Sequence, residues 1–105
     1  FHLQKGAIMS VDVILDLQVS AANREELLSI FTAILPDTRA YAGCQSVIVT
    51  SNENDPHNIV LLEKWDKRSD HESYAAWRTE RGDMEKLGAL LSAPPVIKYL
   101  TTIPS

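Results

Sequence analysis

The run Ile59-Val-Leu-Leu-Glu-Lys-Trp65 carries apolar side chains at odd and even positions alike. A strand made from it therefore has two faces that need cover. Alternation puts Ile59, Leu61, Glu63 and Trp65 on one face and Val60, Leu62 and Lys64 on the other. Such a strand belongs inside a sheet with helices on one side and something else on the other. That requirement constrains the fold more than any bulk property of the chain.

The flanking segments supply the other pieces. Val11, Val13, Leu15, Leu17 and Val19 repeat with period two, which predicts a strand with one strongly apolar face. Asn23 and Glu26 have the spacing of a capping pair, and Leu27, Ile30, Phe31, Ile34 and Leu35 line one helical face behind it. Pro36 is expected to kink or interrupt that helix, which resumes through Thr38–Ala42 and stops at Gly43. Cys44–Ser51 reads as a second strand, and Asn52–Asn58 as a polar hairpin turn before the third.

Ser69 and Glu72 form a capping box for a helix to about Glu80, ended by Gly82. Asp83 caps a third helix with Met84, Leu87 and Leu91 on its apolar side. Pro94-Pro95 stops it, and Val96–Ile103 alternates as a fourth strand. The order strand, helix, hairpin, helical region, strand predicts an α+β fold of the ferredoxin-like, split βαβ kind with an antiparallel sheet.

With 105 residues the chain makes one domain. A net charge of −4 argues against a nucleic-acid backbone as the main partner. No apolar run reaches membrane-spanning length. Cys44 is the only cysteine, so an internal disulfide is excluded and a reducing, cytoplasmic setting is expected. Phe1–Ile8 precedes Met9 and lacks the features of a secretion signal. It is expected to be an expression-tag remnant, with the domain spanning residues 9–105.

Three stretches carry a family resemblance: Ala42-Gly-Cys44, Glu63-Lys-Trp65, and Ser69-Asp-His-Glu-Ser-Tyr74 continuing through Trp77-Arg78-Thr-Glu80-Arg81-Gly82 to Pro94-Pro95. With these in this order, the chain from Met9 onward resembles the antibiotic biosynthesis monooxygenase (ABM) family of small dimeric α+β barrel proteins. The resemblance implies two sheets, one from each chain of a homodimer, closing a barrel with helices outside. It also implies oxidation of quinols or anthrones by molecular oxygen with no metal or flavin cofactor. One fold hosts many functions, so a non-catalytic ligand-binding or stress-response dimer is the rival reading.

A dimer is expected on physical grounds too. A sheet face with about six to eight aliphatic side chains, at roughly 1.5–3 kcal/mol each, would forgo on the order of 10 kcal/mol if left wet.

The candidate catalytic residues are Trp65, Tyr74 and His71; the candidate substrate-binding residues are Glu63, Trp77, Arg78 and Arg81. Tyr74, Trp77, Arg78 and Arg81 recur at helical offsets of three and four, so they share one broad face. Either arginine could hold a phenolate, and His71 could move its proton. Structurally, the same arginines could pair with Glu80 and Asp83, and the aromatics could be core. Trp65 could wall a pocket and donate its N–H, or be a plain core tryptophan. Glu63 could be a base with a raised pKa or an anchored structural carboxylate. Haem-degrading relatives carry an asparagine on the first strand and a helical histidine ligand; Val11–Val19 has no asparagine. No His/Cys/Asp/Glu spacing here resembles a metal site.

Overall fold

The computed structural model describes residues 10–105, so Phe1–Ile8 and Met9 fall outside the described residues. The elements are β1 (Val11–Gln18), α1 (Ala21–Ala40), β2 (Cys44–Asn52), β3 (Asp55–Trp65), α2 (Arg68–Glu80), α3 (Asp83–Leu90) and β4 (Val96–Leu100). The strands pair antiparallel in the order β2-β3-β1-β4. This is the α+β ferredoxin-like fold that the pattern of elements predicts.

One sheet face lies under the helices. Leu17, Ile59 and Leu61 pack there against Leu27, Phe31 and Leu35 of α1. A second cluster joins Val11, Val13 and Trp65 to Tyr74 of α2, with Tyr41 and Trp77 at its margin. Cys44 is half-buried and touches both clusters. The opposite face carries a cross-strand row of Ile48, Leu62, Ile14 and Lys98, flanked by Val60, Val96 and Leu100. Of these, Ile48 is 56% exposed and Leu62 is 40% exposed. Among the described residues no helix is long and apolar enough to cross a membrane.

Several local expectations are corrected. Helix α1 runs through Pro36 without interruption. A proline ring costs a helix one hydrogen bond, but Leu35 in the core and the buried Thr38 anchor the chain on both sides of it. Asn23 does not cap: the helix starts after Ser20, and the Asn23 amide donates instead to the Leu90 carbonyl at 3.2 Å, tying α1 to the end of α3. Helix α2 starts after Lys67 without a side-chain cap, and Glu72 accepts from Arg68 rather than closing a box with Ser69.

Helix α3 follows Gly82, whose φ of 82° is the left-handed turn that ends α2, and Asp83 turns back to two arginines instead of capping. The hairpin loop is tighter than predicted, because β3 begins at Asp55. β1 ends at Gln18, with Val19 making a single bridge to Leu91. β4 ends at Leu100 rather than Ile103. At Gly43, with φ 93°, a Cβ would collide with Asp70, so glycine is required where the chain leaves α1 and passes under α2.

Candidate active site

The antiparallel register puts Val47, Glu63, Val13 and Tyr99 in one row under the helices. Val13 of β1 pairs with Glu63 of β3 on one side and with Tyr99 of β4 on the other. Neighbouring strands lie about 4.8 Å apart, so Glu63 and Tyr99 stand two strands apart with a gap above Val13. His71, in the second turn of α2, fills that gap. Its Nδ1 lies 2.8 Å from the Tyr99 hydroxyl, and its Nε2 lies 3.9 Å from Glu63 Oε1. The second distance is too long for a direct hydrogen bond.

Beside this row lies a cavity of about 200 Å³ between sheet and helices. The sheet contributes Leu15, Leu17 and Leu61, and α1 contributes Phe31, Ile34 and Leu35. Met84, Leu87 and Leu91 close it from the α3 side, together with Pro95. Among the described residues its polar side chains are Glu63, His71, Tyr74 and Arg78. On α2 the lining positions His71, Tyr74, Ala75 and Arg78 follow helical spacing, so one stripe of the helix faces inward.

Trp65 takes a different place from the pocket wall anticipated for it. It is 0% exposed, lies outside the cavity lining, and its Nε1 donates to Glu63 Oε1 at 2.9 Å. It therefore acts on the cavity through Glu63, by fixing the carboxyl's orientation. The anchor of Glu63 is thus an indole N–H rather than an arginine or the backbone.

The aromatic-arginine face of α2 splits in two. Tyr74 and Arg78 point inward; Trp77 and Arg81 lie beside them, off the cavity. Arg78 is 1% exposed, and its fork is almost fully used. Nε donates to the Tyr74 hydroxyl at 2.9 Å, Nη1 to Asp83 at 2.9 Å, and Nη2 to the Ile34 carbonyl at 2.8 Å and to Thr38 at 3.1 Å. Tyr74 and Thr38 share a 2.6 Å hydrogen bond. Arg81 shares Asp83 at 3.1 Å, and both guanidinium groups stack on Trp77. Burial pushes the Asp83 carboxyl up, but hydrogen bonds from Arg78 and Arg81 outweigh it and hold it below its usual range. These contacts make Arg78 the clasp between α1, α2 and α3.

Glu63 and His71 are consequently the cavity's polar groups with capacity to spare. Burial raises the Glu63 carboxyl above its usual pKa, partly offset by the Trp65 hydrogen bond. Burial lowers the His71 imidazole, against a smaller upward pull from Glu72. Both groups are driven toward their neutral forms, as expected where a charge would be desolvated. Among the described residues no group of three or more His, Cys, Asp or Glu could hold a metal ion.

The raised Glu63 pKa has a signed consequence for stability. The folded state holds this proton more tightly than the unfolded chain, so the contribution is complete below the unfolded value of about 4.3 and is lost as pH rises through the folded value. Glutamine keeps an oxygen for Trp65 Nε1 and cannot ionise. Glu63→Gln is therefore expected to raise the unfolding midpoint at pH 8 relative to the parent, with the gain fading toward pH 4. Equal gains at both pH values would rule out a raised carboxyl. His71 has the opposite sign: its lowered pKa costs stability as pH falls below the unfolded value of about 6.5.

Comparison with known proteins agrees with this architecture. Residues 10–81 match the antibiotic biosynthesis monooxygenase family, and the chain belongs to that family. The fold is that of a conserved protein from Methanosarcina mazei Go1 (TM-score 0.85, 15% identity, 94% of this chain and 98% of that one). It is also that of Rv0793 from Mycobacterium tuberculosis (TM-score 0.80, 22% identity, 91% and 97%). A third structure, described as an antibiotic biosynthesis monooxygenase, superposes with TM-score 0.80 at 16% identity, covering 90% and 99%. No curated protein matches the chain significantly.

Tyr99 is the polar residue of the row that sequence reasoning did not single out. The signal was present only as a tyrosine in an alternating strand, because its neighbours come from β1 and α2.

Proposed function

We propose that this protein is a monooxygenase that oxidises a small electron-rich phenol of the quinol or anthrone type with molecular oxygen, using no cofactor. The observation that carries the reading is the carboxyl–imidazole pair held 3.9 Å apart in a largely apolar chamber whose other polar groups, Tyr74 and Arg78, are already hydrogen-bonded to each other and to their neighbours. An oxygen atom can sit about 2.8 Å from both partners at once. A phenol entering ring-first along Leu15, Leu61 and Leu87 would bring its hydroxyl there. His71 Nε2 would accept the phenolic proton, while Glu63, in the neutral form that burial favours, would donate to the oxygen and stabilise the anion. Trp65 would hold Glu63 for that task, and Tyr74 would wall the chamber with its ring.

The chemistry then balances without another reactant. Deprotonation makes the ring a better electron donor; one electron passes to oxygen, and the radical pair joins at a ring carbon as a peroxide. The peroxide takes the proton back from His71. Loss of the C–H proton and cleavage of the O–O bond give a quinone and one water. Excluding bulk water from the chamber protects the phenolate and the peroxide.

The size of the chamber narrows the substrate. An apolar cavity of roughly 150 Å³ takes benzene, so about 200 Å³ suits one ring with short substituents. A three-ring anthrone would require α3 to move. Oxygen uptake with one-ring hydroquinones against anthrone tests this directly. Saturable binding of those phenols with no uptake above the uncatalysed rate would favour the ligand-binding reading instead.

The working unit in this proposal is a homodimer. Ile14, Ile48, Val60, Leu62, Val96 and Leu100 share the face away from the helices with Asp12, Asp16, Lys64 and Lys98, and a second copy of that face would cover its apolar part. Light scattering at micromolar concentration is expected to give twice the chain mass, and Leu62→Asp to give a single chain. A monomeric parent protein would contradict the dimer.

A further inference from the structure

We propose that Tyr99 is a positioning residue that keeps the His71 proton on Nδ1, leaves Nε2 bare toward the cavity, and passes protons between the imidazole and solvent. The inference rests on the oxygenase reading for its purpose, but its geometry stands apart from that reading. The β1 register puts Tyr99 and Glu63 on either side of Val13, so His71 lies between the two strands, hydrogen-bonded to Tyr99 and 3.9 Å from Glu63. The 2.8 Å contact to Nδ1 is the shortest polar contact the ring makes, and the rings of His71 and Tyr99 meet edge-on with centroids 5.4 Å apart.

The Arg68 guanidinium lies 4.0 Å over the Tyr99 ring and packs on it. Tyr99 stands on an edge strand and is half-buried, whereas His71 is buried. The pair therefore spans the distance from the cavity to the edge of the sheet. The charged and titratable groups around the imidazole are Glu63 from β3, Tyr99 from β4, and Arg68, Glu72 and Tyr74 from α2. Among the described residues only Tyr99 hydrogen-bonds it; the hydroxyl can serve either tautomer, and in the proposed arrangement it accepts from Nδ1–H, which leaves Nε2 free toward the cavity.

The transfer balances atom by atom. The phenolic O–H breaks and its proton joins Nε2. The Nδ1 proton moves to the Tyr99 oxygen, and the Tyr99 hydroxyl proton leaves to water. The imidazole ends neutral, with its proton on Nε2, and never carries a net charge in the apolar chamber. Running the same chain in reverse delivers a proton to the peroxide and restores the starting tautomer. A histidine acting alone would have to hold a buried positive charge between the two steps, which its surroundings disfavour.

Tyr99→Phe keeps the ring beneath Arg68 and deletes only the hydroxyl. Nitrogen-15 shifts of the imidazole in the unliganded protein read the tautomer directly. The parent is expected to carry its proton on Nδ1, and the variant to shift toward the Nε2–H form. With a one-ring hydroquinone as probe, kcat is expected to fall about tenfold or more with KM little changed, and the pH profile to move. A parent histidine protonated on Nε2, or an identical tautomer in both proteins, would overturn the proposal. A parent that shows the Nδ1–H tautomer, lost in the variant, supports it even if no phenol is turned over by either protein. That second result would overturn the oxygenase reading alone.

Discussion

Arg78→Ala is expected to cost about 3–5 kcal/mol of folding stability, the range for removing one partner from a buried ion pair. The side chain leaves four acceptors behind in the interior: Tyr74, Asp83, the Ile34 carbonyl and Thr38. An unsatisfied buried polar group is penalised by its full desolvation, which is why the loss exceeds the worth of a single hydrogen bond. A domain of this size has about 5–15 kcal/mol in total, so the variant should be marginal at body temperature. Arg78→Lys should recover little, because one ammonium cannot serve acceptors spread over three helices. Urea unfolding measures both. A loss below about 1 kcal/mol would mean the clasp is not a stabilising feature. Part of this network is also acid-sensitive: the depressed Asp83 carboxyl adds stability above its unfolded pKa of about 3.9, lost as pH falls through the folded value.

His71→Asn is expected to lower kcat/KM for a one-ring hydroquinone by about 10²–10⁴, the usual worth of a positioned general base. Asparagine preserves a polar side chain for Tyr99 but cannot take a proton. Binding of the reduced phenol should persist, because most of its contact is with Leu15, Leu61, Leu87 and their neighbours. The loss should therefore fall on kcat rather than on KM. Equal loss in Arg78→Lys and His71→Asn would instead point to a folding effect common to both. Oxygen uptake at matched, folded concentrations separates the cases.

How much of this could be read from sequence depends on how local each cause is. The strands at Val11–Val19 and Ile59–Trp65 were readable because burial on alternate positions writes a period of two directly into the chain. Likewise Glu63 and Trp65 belong to one face by that alternation alone, and the structure joins them by a hydrogen bond. Pro36 was misjudged because its propensity is local while the forces holding α1 together there are tertiary, from Leu35 and from Thr38 against Tyr74. Capping patterns failed because the side chains found other partners. Asn23 found a partner 67 positions away, while Glu72 and Asp83 were taken by arginines only a few residues before them.

The site shows the same division. That His71, Tyr74 and Arg78 share a stripe follows from helical spacing, but which stripe faces the cavity depends on how α2 lies on the sheet. Trp77 and Arg81 fell on the neighbouring stripe. The pairing of Arg78 and Arg81 with Asp83 was legible from their nearness in sequence, but the Arg78 bond to the Ile34 carbonyl, 44 positions away, was not. Tyr99 was invisible for the strongest reason. Its proximity to Glu63 exists only through the register of β1 with both β3 and β4.

The central claim is that a phenol's hydroxyl lodges between Glu63 and His71. The most direct measurement is an anaerobic NMR titration of the protein with a one-ring hydroquinone, following the His71 imidazole and the leucine methyls together. Saturable shifts at His71, Leu15, Leu61 and Leu87, with the His71 response abolished by Glu63→Ala or weakened with methylated phenol, are the predicted result. Saturable shifts that leave His71 untouched, or no saturation at millimolar phenol, would contradict it.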